Sequence, residues 1–251
     1  MYESSQKLKK PHYFQRQMVK LSLVLPMYNE EAIAEKVIRE IQEVFAQKQI
    51  DYELVIVKNG CKDRTGEIVD NLARKNPRIK PVLVTVNQGY GWGVINGLNS
   101  ASGDIIGYVD GDGQVPPEDI LRVYRGFEDP TQVFCKGIRY QRGDGIQRVF
   151  ASFAFNGVFK VLFLNTVRDI NGKPKLFKRE FYQNLNLQSK DWFIDPEIII
   201  KGLHKGYKPK EIVVHFDERK KGKSNVRLST ITEFAKNLIK WRIAVWTKKK
   251  L

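Results

Sequence analysis

Cysteine is nearly missing. Cys61 and Cys135 are the only two in 251 residues, and they form no CxxC pair. Neither a disulfide framework nor a thiolate zinc site is indicated, and a reducing cytosol is the default expectation. Histidine is almost as scarce: His12, His204 and His215 share no metal-ligand spacing. Long apolar runs are lacking too. The richest stretch, Val149 to Phe159, is cut by Lys160, short of the ~18–20 residues that span a bilayer. The first residues, MYESSQKLKKPHYFQRQ, have no apolar h-region and read as a loosely ordered basic arm instead of a secretory signal. Internal repeats and low-complexity segments do not occur.

What is present is enough for a core: 42% hydrophobic and 11% aromatic residues, which predicts one substantial domain. The formal charge of +15 is concentrated at the ends. Residues 1–20 carry five Lys/Arg against one Glu, and residues 216–251 carry eleven against three acids, leaving only +3 for the rest. Basic ends suit an anionic partner: nucleic acid, a phosphate-bearing substrate or a membrane face.

Between those ends, short apolar runs alternate with amphipathic ones. LSLVLP (21–26), stopped by proline, ELVIVKNG (53–60), PVLVTVN (81–87) and DIIGYVDGD (104–112) read as buried strands. Helices are predicted after each of the first three. The first is N-capped by Asn29 and carries Ile33, Val37, Ile41 and Val44 at helical spacing. Such alternation predicts an α/β fold: a mostly parallel sheet with helices on both faces, and ligands at the carboxyl ends of the strands. Farther on, QVFCKGIRY (132–140), KPKLFKRE and EIVVHF (211–216) read as strands. The run from Ile146 to Val167 reads as a long Phe-rich helix, and a further helix opens at Asp195-Pro196-Glu197, with Asp195 as N-cap. The expected organisation is a basic arm (1–19), the main domain (20–227) and a basic amphipathic C-terminal helix (228–251).

The stretch YVDGDGQVPPE (108–118) carries the clearest chemistry. Asp110 and Asp112 fall on one side of a strand end, and flanking glycines let the backbone turn around them. Two carboxylates this close repel unless a cation sits between them, and oxygen donors without His or Cys suit Mg²⁺ or Mn²⁺. An EF-hand is excluded, because positions six and twelve counted from Asp110 are Val115 and Leu121. An Asp-Gly turn before a Pro-initiated helix explains the prolines and one acid, but not both. The Gly-rich turn NQGYGWGVING (87–97) fails as GxGxxG and marks close backbone approach to a ligand or a neighbour.

Taken in order, LSLVLPMYNEEA, VKNGCKDRT, NQGYGWGVINGLNSASGD and YVDGDGQVPPED resemble glycosyltransferase family 2, with its GT-A fold and inverting chemistry. GIRYQRGDG, INGKPKLFKRE, WFIDPEI and RKKGKSNVR are similar to its dolichyl- or polyprenyl-phosphate sugar synthase branch, and the resemblance spans roughly residues 20–228. It implies that Asp110 and Asp112, with Gln114, hold a divalent cation, Mg²⁺ or Mn²⁺, on the diphosphate of a GDP- or UDP-linked sugar. It implies donor binding by Pro26, Tyr28, Glu30, Asp63, Gly89 and Asn59, the last standing where the family usually has Asp. Arg139, Arg148, Arg219, Lys223 and Ser224 fall on phosphate or acceptor motifs, and Asp195 on a sugar or acceptor contact.

The activity implied is transfer of a hexose-type sugar to a polyprenyl or dolichyl phosphate. A phosphate monoester needs no strong base; a glycan hydroxyl acceptor would, with Asp195 as its candidate. A catalytically silent membrane-associated member is the other alternative, raised by Asn59. A nucleic-acid partner would explain the basic ends but leaves the acidic DxDxQ stretch unexplained, so none is expected. The C-terminal helix, with Leu228, Ile231, Phe234, Leu238, Trp241 and Val245 on one face and Trp246 beside clustered lysines, predicts peripheral attachment to the cytoplasmic face of a membrane.

Overall fold

A computed structural model describes residues 21–140, 146–218 and 228–247. Its first half alternates strand and helix as the periodicity predicts: β1 (Leu21–Met27), α1 (Ala34–Gln47), β2 (Tyr52–Asn59), α2 (Thr65–Lys75), β3 (Ile79–Val84), α3 (Tyr90–Ser100) and β4 (Ile105–Tyr108). The second half runs α4 (Pro117–Tyr124), β5 (Phe134–Tyr140), α5 (Ile146–Phe163), β6 (Lys175–Lys178), α6 (Arg179–Leu185), α7 (Ile194–His204), β7 (Lys210–His215) and α8 (Leu228–Trp246). Among the described residues seven strands form one sheet, in the order β3-β2-β1-β4-β6-β5-β7. Only β6 runs against its neighbours, pairing antiparallel with β4 and β5.

Strand alternation divides the core between the two faces. Leu21, Leu23, Leu25 and Met27 of β1 pack with Ile38, Ile41 and Phe45 of α1 and with Ile120 and Val123 of α4. Val24, Val55 and Val57 face the other way, onto Val94 and Leu98 of α3, Ile198 and Ile199 of α7, and Leu238 and Trp241 of α8. Gly97 of α3 lies so close to the sheet that a Cβ there would strike the Val24 and Val57 side chains. These residues are almost wholly buried; each such aliphatic side chain contributes about 1.5–3 kcal/mol.

Several local expectations are corrected. Pro26 does not stop β1, which continues to Met27 with Pro26 paired opposite Val57 of β2. The Val24 carbonyl accepts from Val109 N, so by parallel-ladder alternation Pro26 turns its nitrogen toward β4 as well. Lacking an N–H, it cannot extend that ladder, and the chain after Val109 is released into the DGDG loop. Asn29 does not cap α1. It sits in the left-handed region at φ 55°, and its side chain accepts from Lys62 N at 2.8 Å. Nor does Asp195 cap α7, because that helix begins one residue earlier, at Ile194.

The C-terminal helix packs on the domain itself. Phe234, Leu238, Trp241 and Val245 of the face read for membrane attachment therefore turn to the core, and among the described residues of the helix Ile239, Ile243 and Trp246 are the apolar ones left exposed. Phe234 meets Phe155 of α5 edge to face at 5.1 Å, and Leu238 and Trp241 are buried. Among the described residues no helix is long and apolar enough to cross a membrane.

Candidate active site

The loops after β1 and β2 are clasped together by polar groups. Thr65 Oγ1 accepts from Glu30 N at 2.8 Å, and Asp63 accepts from Glu31 N and Thr65 N, each at 3.0 Å. Burial would raise the Asp63 pKa, but these hydrogen bonds outweigh it and hold the carboxyl below its ordinary value. Tyr28, half-buried, and Glu30, buried, stand on this clasp. Asn59, at the end of β2, donates through Nδ2 to Gly89 O at 3.2 Å, and its buried Oδ1 has no partner among the described residues.

Gly89 adopts φ 119°, and a Cβ there would strike the Lys190 carbonyl. Gly91 N and Trp92 N bond to the carbonyls of Asp191 and Lys190 at 3.2 and 3.0 Å. The glycine-rich turn thus gives its close approach to the segment before α7. Of the two readings the sequence left open, the structure fills the one in which the neighbour is protein.

At the end of β4, the DGDG loop lies over β1: a Cβ on Gly111 would come within 2.7 Å of Met27 Cγ. Asp110 accepts from the Tyr90 hydroxyl at 2.6 Å and from Lys173 Nζ at 3.0 Å. Asp112 Oδ1 accepts from Gln114 N at 3.2 Å. Gln114 Nε2 donates to Asp217 O at 2.9 Å, and Asp217 N donates back to Gln114 O at 2.8 Å. That exchange commits the amide nitrogen of Gln114, so its oxygen is the end that can serve a cation. It also ties the acidic loop to the chain two residues before Arg219.

Behind the acids lies a charge cluster that the sequence reading missed. Asp195, 1% exposed, accepts from the Tyr108 hydroxyl at 2.6 Å and lies 3.3 Å from Lys173 Nζ. It also pairs with Lys175, which is fully buried. Burial pushes the Asp195 carboxyl up, but the two ammonium groups outweigh it and hold its pKa below the usual range. Burial drives Lys175 down to about 8 against the pull of Asp195. For Lys173 burial also acts downward, yet Asp110 and Asp195 raise it above the ordinary lysine value. A carboxylate this enclosed and this strongly paired suits a structural counter-ion better than a base that must reach an acceptor hydroxyl. Lysines in KPKLFK pattern as surface residues; their antiparallel strand beside β4 is what turns Lys175 inward.

Arg139 points its bidentate edge at Asp169, with Nε and Nη2 at 2.9 and 2.6 Å from the carboxylate, and its guanidinium lies over the Phe216 ring. Arg148 belongs to α5, but its side chain is outside the described set, and Arg219, Lys223 and Ser224 lie outside the described residues altogether.

For a divalent cation, the donor chemistry fits. Asp110, Asp112 and the Gln114 amide oxygen are hard oxygen donors at one strand end. Among the described residues no cluster of three His, Cys, Asp or Glu side chains could cage a metal alone. A cation here would complete its shell with water and substrate phosphates, the usual habit of Mg²⁺.

The model of the family described as "Glycosyl transferase family 2" matches residues 22–190, so the chain belongs to that family. The chain is 29% identical to the dolichol-phosphate mannosyltransferase of Pyrococcus furiosus, over 91% of this chain and 64% of that protein. It is also 29% identical to the dolichyl-phosphate beta-glucosyltransferase ALG5A of Trichomonas vaginalis, over 96% of this chain and 80% of that protein. The chain therefore spans a little under two thirds of the archaeal relative's length. Among solved structures, glucosyl-3-phosphoglycerate synthase from Mycobacterium tuberculosis, in complex with Mn²⁺, UDP and glucosyl-3-phosphoglycerate, superposes with a TM-score of 0.70 at 18% identity, covering 95% of this chain and 86% of that one. That likeness is one of fold, and the fold is GT-A.

Proposed function

We propose that this family 2 glycosyltransferase moves a hexose-type sugar, with inversion, from a nucleoside diphosphate sugar to a polyprenyl or dolichyl phosphate at a membrane surface. The observation that carries this reading is a chain of contacts from the acidic loop to an exposed apolar surface. Tyr90, bonded to Asp110, stacks on Trp192 at 4.3 Å. The neighbouring Asp191 accepts from Asn237 of α8 at 2.9 Å. On α8, Ile239, Ile243 and Trp246 are 62, 54 and 79% exposed at helical spacing, while α5 turns Phe153 and Val161 outward. Apolar side chains beside Lys236, Lys240 and Arg242 suit a lipid–water boundary, where a prenyl phosphate presents its charged head. Both dolichyl-phosphate relatives support the same acceptor class.

In this reading Tyr28, Glu30, Asp63 and Asn59 surround the nucleoside, and Asp110, Asp112 and Gln114 hold Mg²⁺ or Mn²⁺ on the diphosphate. The cation, when bound, supplies charge neutralisation of the leaving group. Arg139, Arg148, Arg219 and Lys223 offset the repulsion between acceptor phosphate and donor, and Ser224 sits in the same acceptor motif. The acceptor is already an anion near neutral pH, so the mechanism asks no base of Asp195. The test is a panel of UDP- and GDP-sugars offered with a short polyprenyl phosphate and Mn²⁺ or Mg²⁺. A glycosyl phosphate lipid, with its anomeric configuration inverted, is the expected product. Transfer only to free glycans, or none with any donor, overturns the assignment.

A further inference from the structure

Lys173 has no part in the reaction described above, yet it is among the most heavily partnered side chains in the molecule. Its ammonium bridges Oδ2 of Asp110 at 3.0 Å and Oδ2 of Asp195 at 3.3 Å, and it lies 4.6 and 5.7 Å from the centres of the Tyr90 and Trp192 rings. The residue is 7% exposed. Two carboxylates and two aromatic faces therefore hold one positive charge against the acidic loop, each of them attractive to a cation. A divalent ion that draws on Asp110 meets a carboxylate whose Oδ1 already accepts from Tyr90 and whose Oδ2 already accepts from Lys173.

We propose that Lys173 is a built-in counter-cation of the candidate metal site. It cancels part of the negative charge that would bind a bare divalent ion, so tight binding waits for the charge a nucleoside diphosphate brings. Lys173 is then a positioning residue: it makes metal and donor bind as a unit and keeps the acidic loop charge-balanced between turnovers. This inference rests on the metal reading of Asp110, Asp112 and Gln114.

The test is a Mn²⁺ titration of the full chain, following the free aquo ion by electron paramagnetic resonance, without nucleotide and with UDP or GDP. Wild-type protein is expected to bind Mn²⁺ at least about tenfold more tightly with one of the nucleotides. Lys173→Met removes a unit charge 3.0 Å from Asp110 Oδ2, a carboxylate that would hold the ion, which should raise the nucleotide-free affinity about tenfold and shrink the nucleotide's effect by a similar factor. Lys173→Arg keeps the charge and should stay close to wild type. If the Met variant does not fold, as its melting curve would reveal, Lys173→Gln retains a hydrogen-bond donor for Asp110 and carries the same expectation. Nucleotide-free affinity that is unchanged or weaker in a folded Met or Gln variant overturns the inference. So does wild-type Mn²⁺ binding that no nucleotide strengthens, a measurement that depends on no variant. Absence of Mn²⁺ binding by the wild type with either nucleotide overturns the metal reading itself, and this inference with it.

Discussion

Replacing Asp195 by Asn should expose how strongly the charge cluster is balanced. The substitution keeps shape and one acceptor oxygen but deletes the charge between Lys173 and Lys175. Lys173 retains Asp110, whereas Lys175, wholly buried, is left with the Gly172 carbonyl at 3.0 Å, the Tyr108 ring at 5.9 Å and a neutral amide. Breaking a buried pair in this way costs about 3–5 kcal/mol; the surviving amide oxygen places the expectation near the lower end, about 3 kcal/mol. Guanidinium denaturation at pH 7 should show a lower midpoint with an unchanged slope. The deficit should also depend on pH. Lys175 has a folded pKa of about 8, depressed from 10.5. The native state therefore sheds this proton before the unfolded chain does, and stability rises as pH climbs from about 8 toward 10.5. Removing Asp195 depresses that pKa further, so the variant begins its gain at lower pH. By pH 9 the wild-type lysine is largely neutral and the pair contributes less, so the gap between the two proteins should narrow. The double variant Asp195→Asn/Lys175→Met should recover most of the loss, since it leaves no unpaired charge. A loss below about 1 kcal/mol, or a gap that stays constant between pH 6 and 9, would refute the argument that these two side chains form a charge pair.

Three further outcomes are expected. Asp112→Asn should melt close to the wild type, because relieving repulsion in the acidic loop offsets a lost acceptor, while Mn²⁺- or Mg²⁺-dependent transfer falls at least about 100-fold; wild-type activity untouched by excess chelator would contradict this. Lys136, fully buried and bonded to the Gly137 and Arg168 carbonyls, is driven down to about 7 by burial. Its contribution to stability should therefore grow by up to about 1.4 kcal/mol per pH unit above neutrality, and Lys136→Met should flatten that rise in denaturation series at pH 6, 8 and 9.5. The triple variant Ile239→Glu/Ile243→Glu/Trp246→Glu changes only exposed positions of α8, so the fold should survive with each change within about 0.5 kcal/mol. Co-sedimentation with anionic liposomes should nevertheless collapse, and undiminished binding would remove α8 from the membrane contact.

Much of the fold could be read from local pattern. The runs that became β1, β2 and β4 are continuous because both faces of a central parallel strand are covered, whereas β3, read as buried, is the sheet edge and leaves Pro81 and Leu83 exposed. Ile33 to Val44 recur at helical spacing because one side of α1 rests on the sheet. What failed was punctuation. Asn29 looks like an N-cap, yet it is used one loop over, to accept from Lys62 N. Pro26 looks like a terminator, yet its missing N–H matters only on the β4 side. In each case a contact distant in sequence chose among conformations that the local residues all permit. The antiparallel insertion of β6 is invisible for the same reason, since strand direction is set by the chain's route and not by any residue of KLFK.

The candidate site divides along a similar line. Groups that act through their own chemistry at a strand end, Asp110, Asp112 and Gln114, stand out because their crowding is costly without a purpose. Groups that act through burial do not, since nothing in the letters separates a solvated lysine from one enclosed beside two carboxylates. The signal that did exist was arithmetic: the central chain is only slightly positive, so a local concentration of acids there calls for cations nearby. Lys173 and Lys175 answer that demand from a segment more than 60 residues away in sequence from Asp110. Their burial has a physical reason. Three carboxylates, Asp110, Asp112 and Asp195, around the end of one short strand would repel strongly whenever no metal or donor is present. A fixed ammonium between two of them offsets that repulsion, and on the proposed function a phosphate donor and its cation would enter as a nearly neutral pair. On the proposal above, the Lys173 ammonium that balances the resting carboxylates would also weaken capture of a bare metal, whereas the stability test turns on its neighbour Lys175.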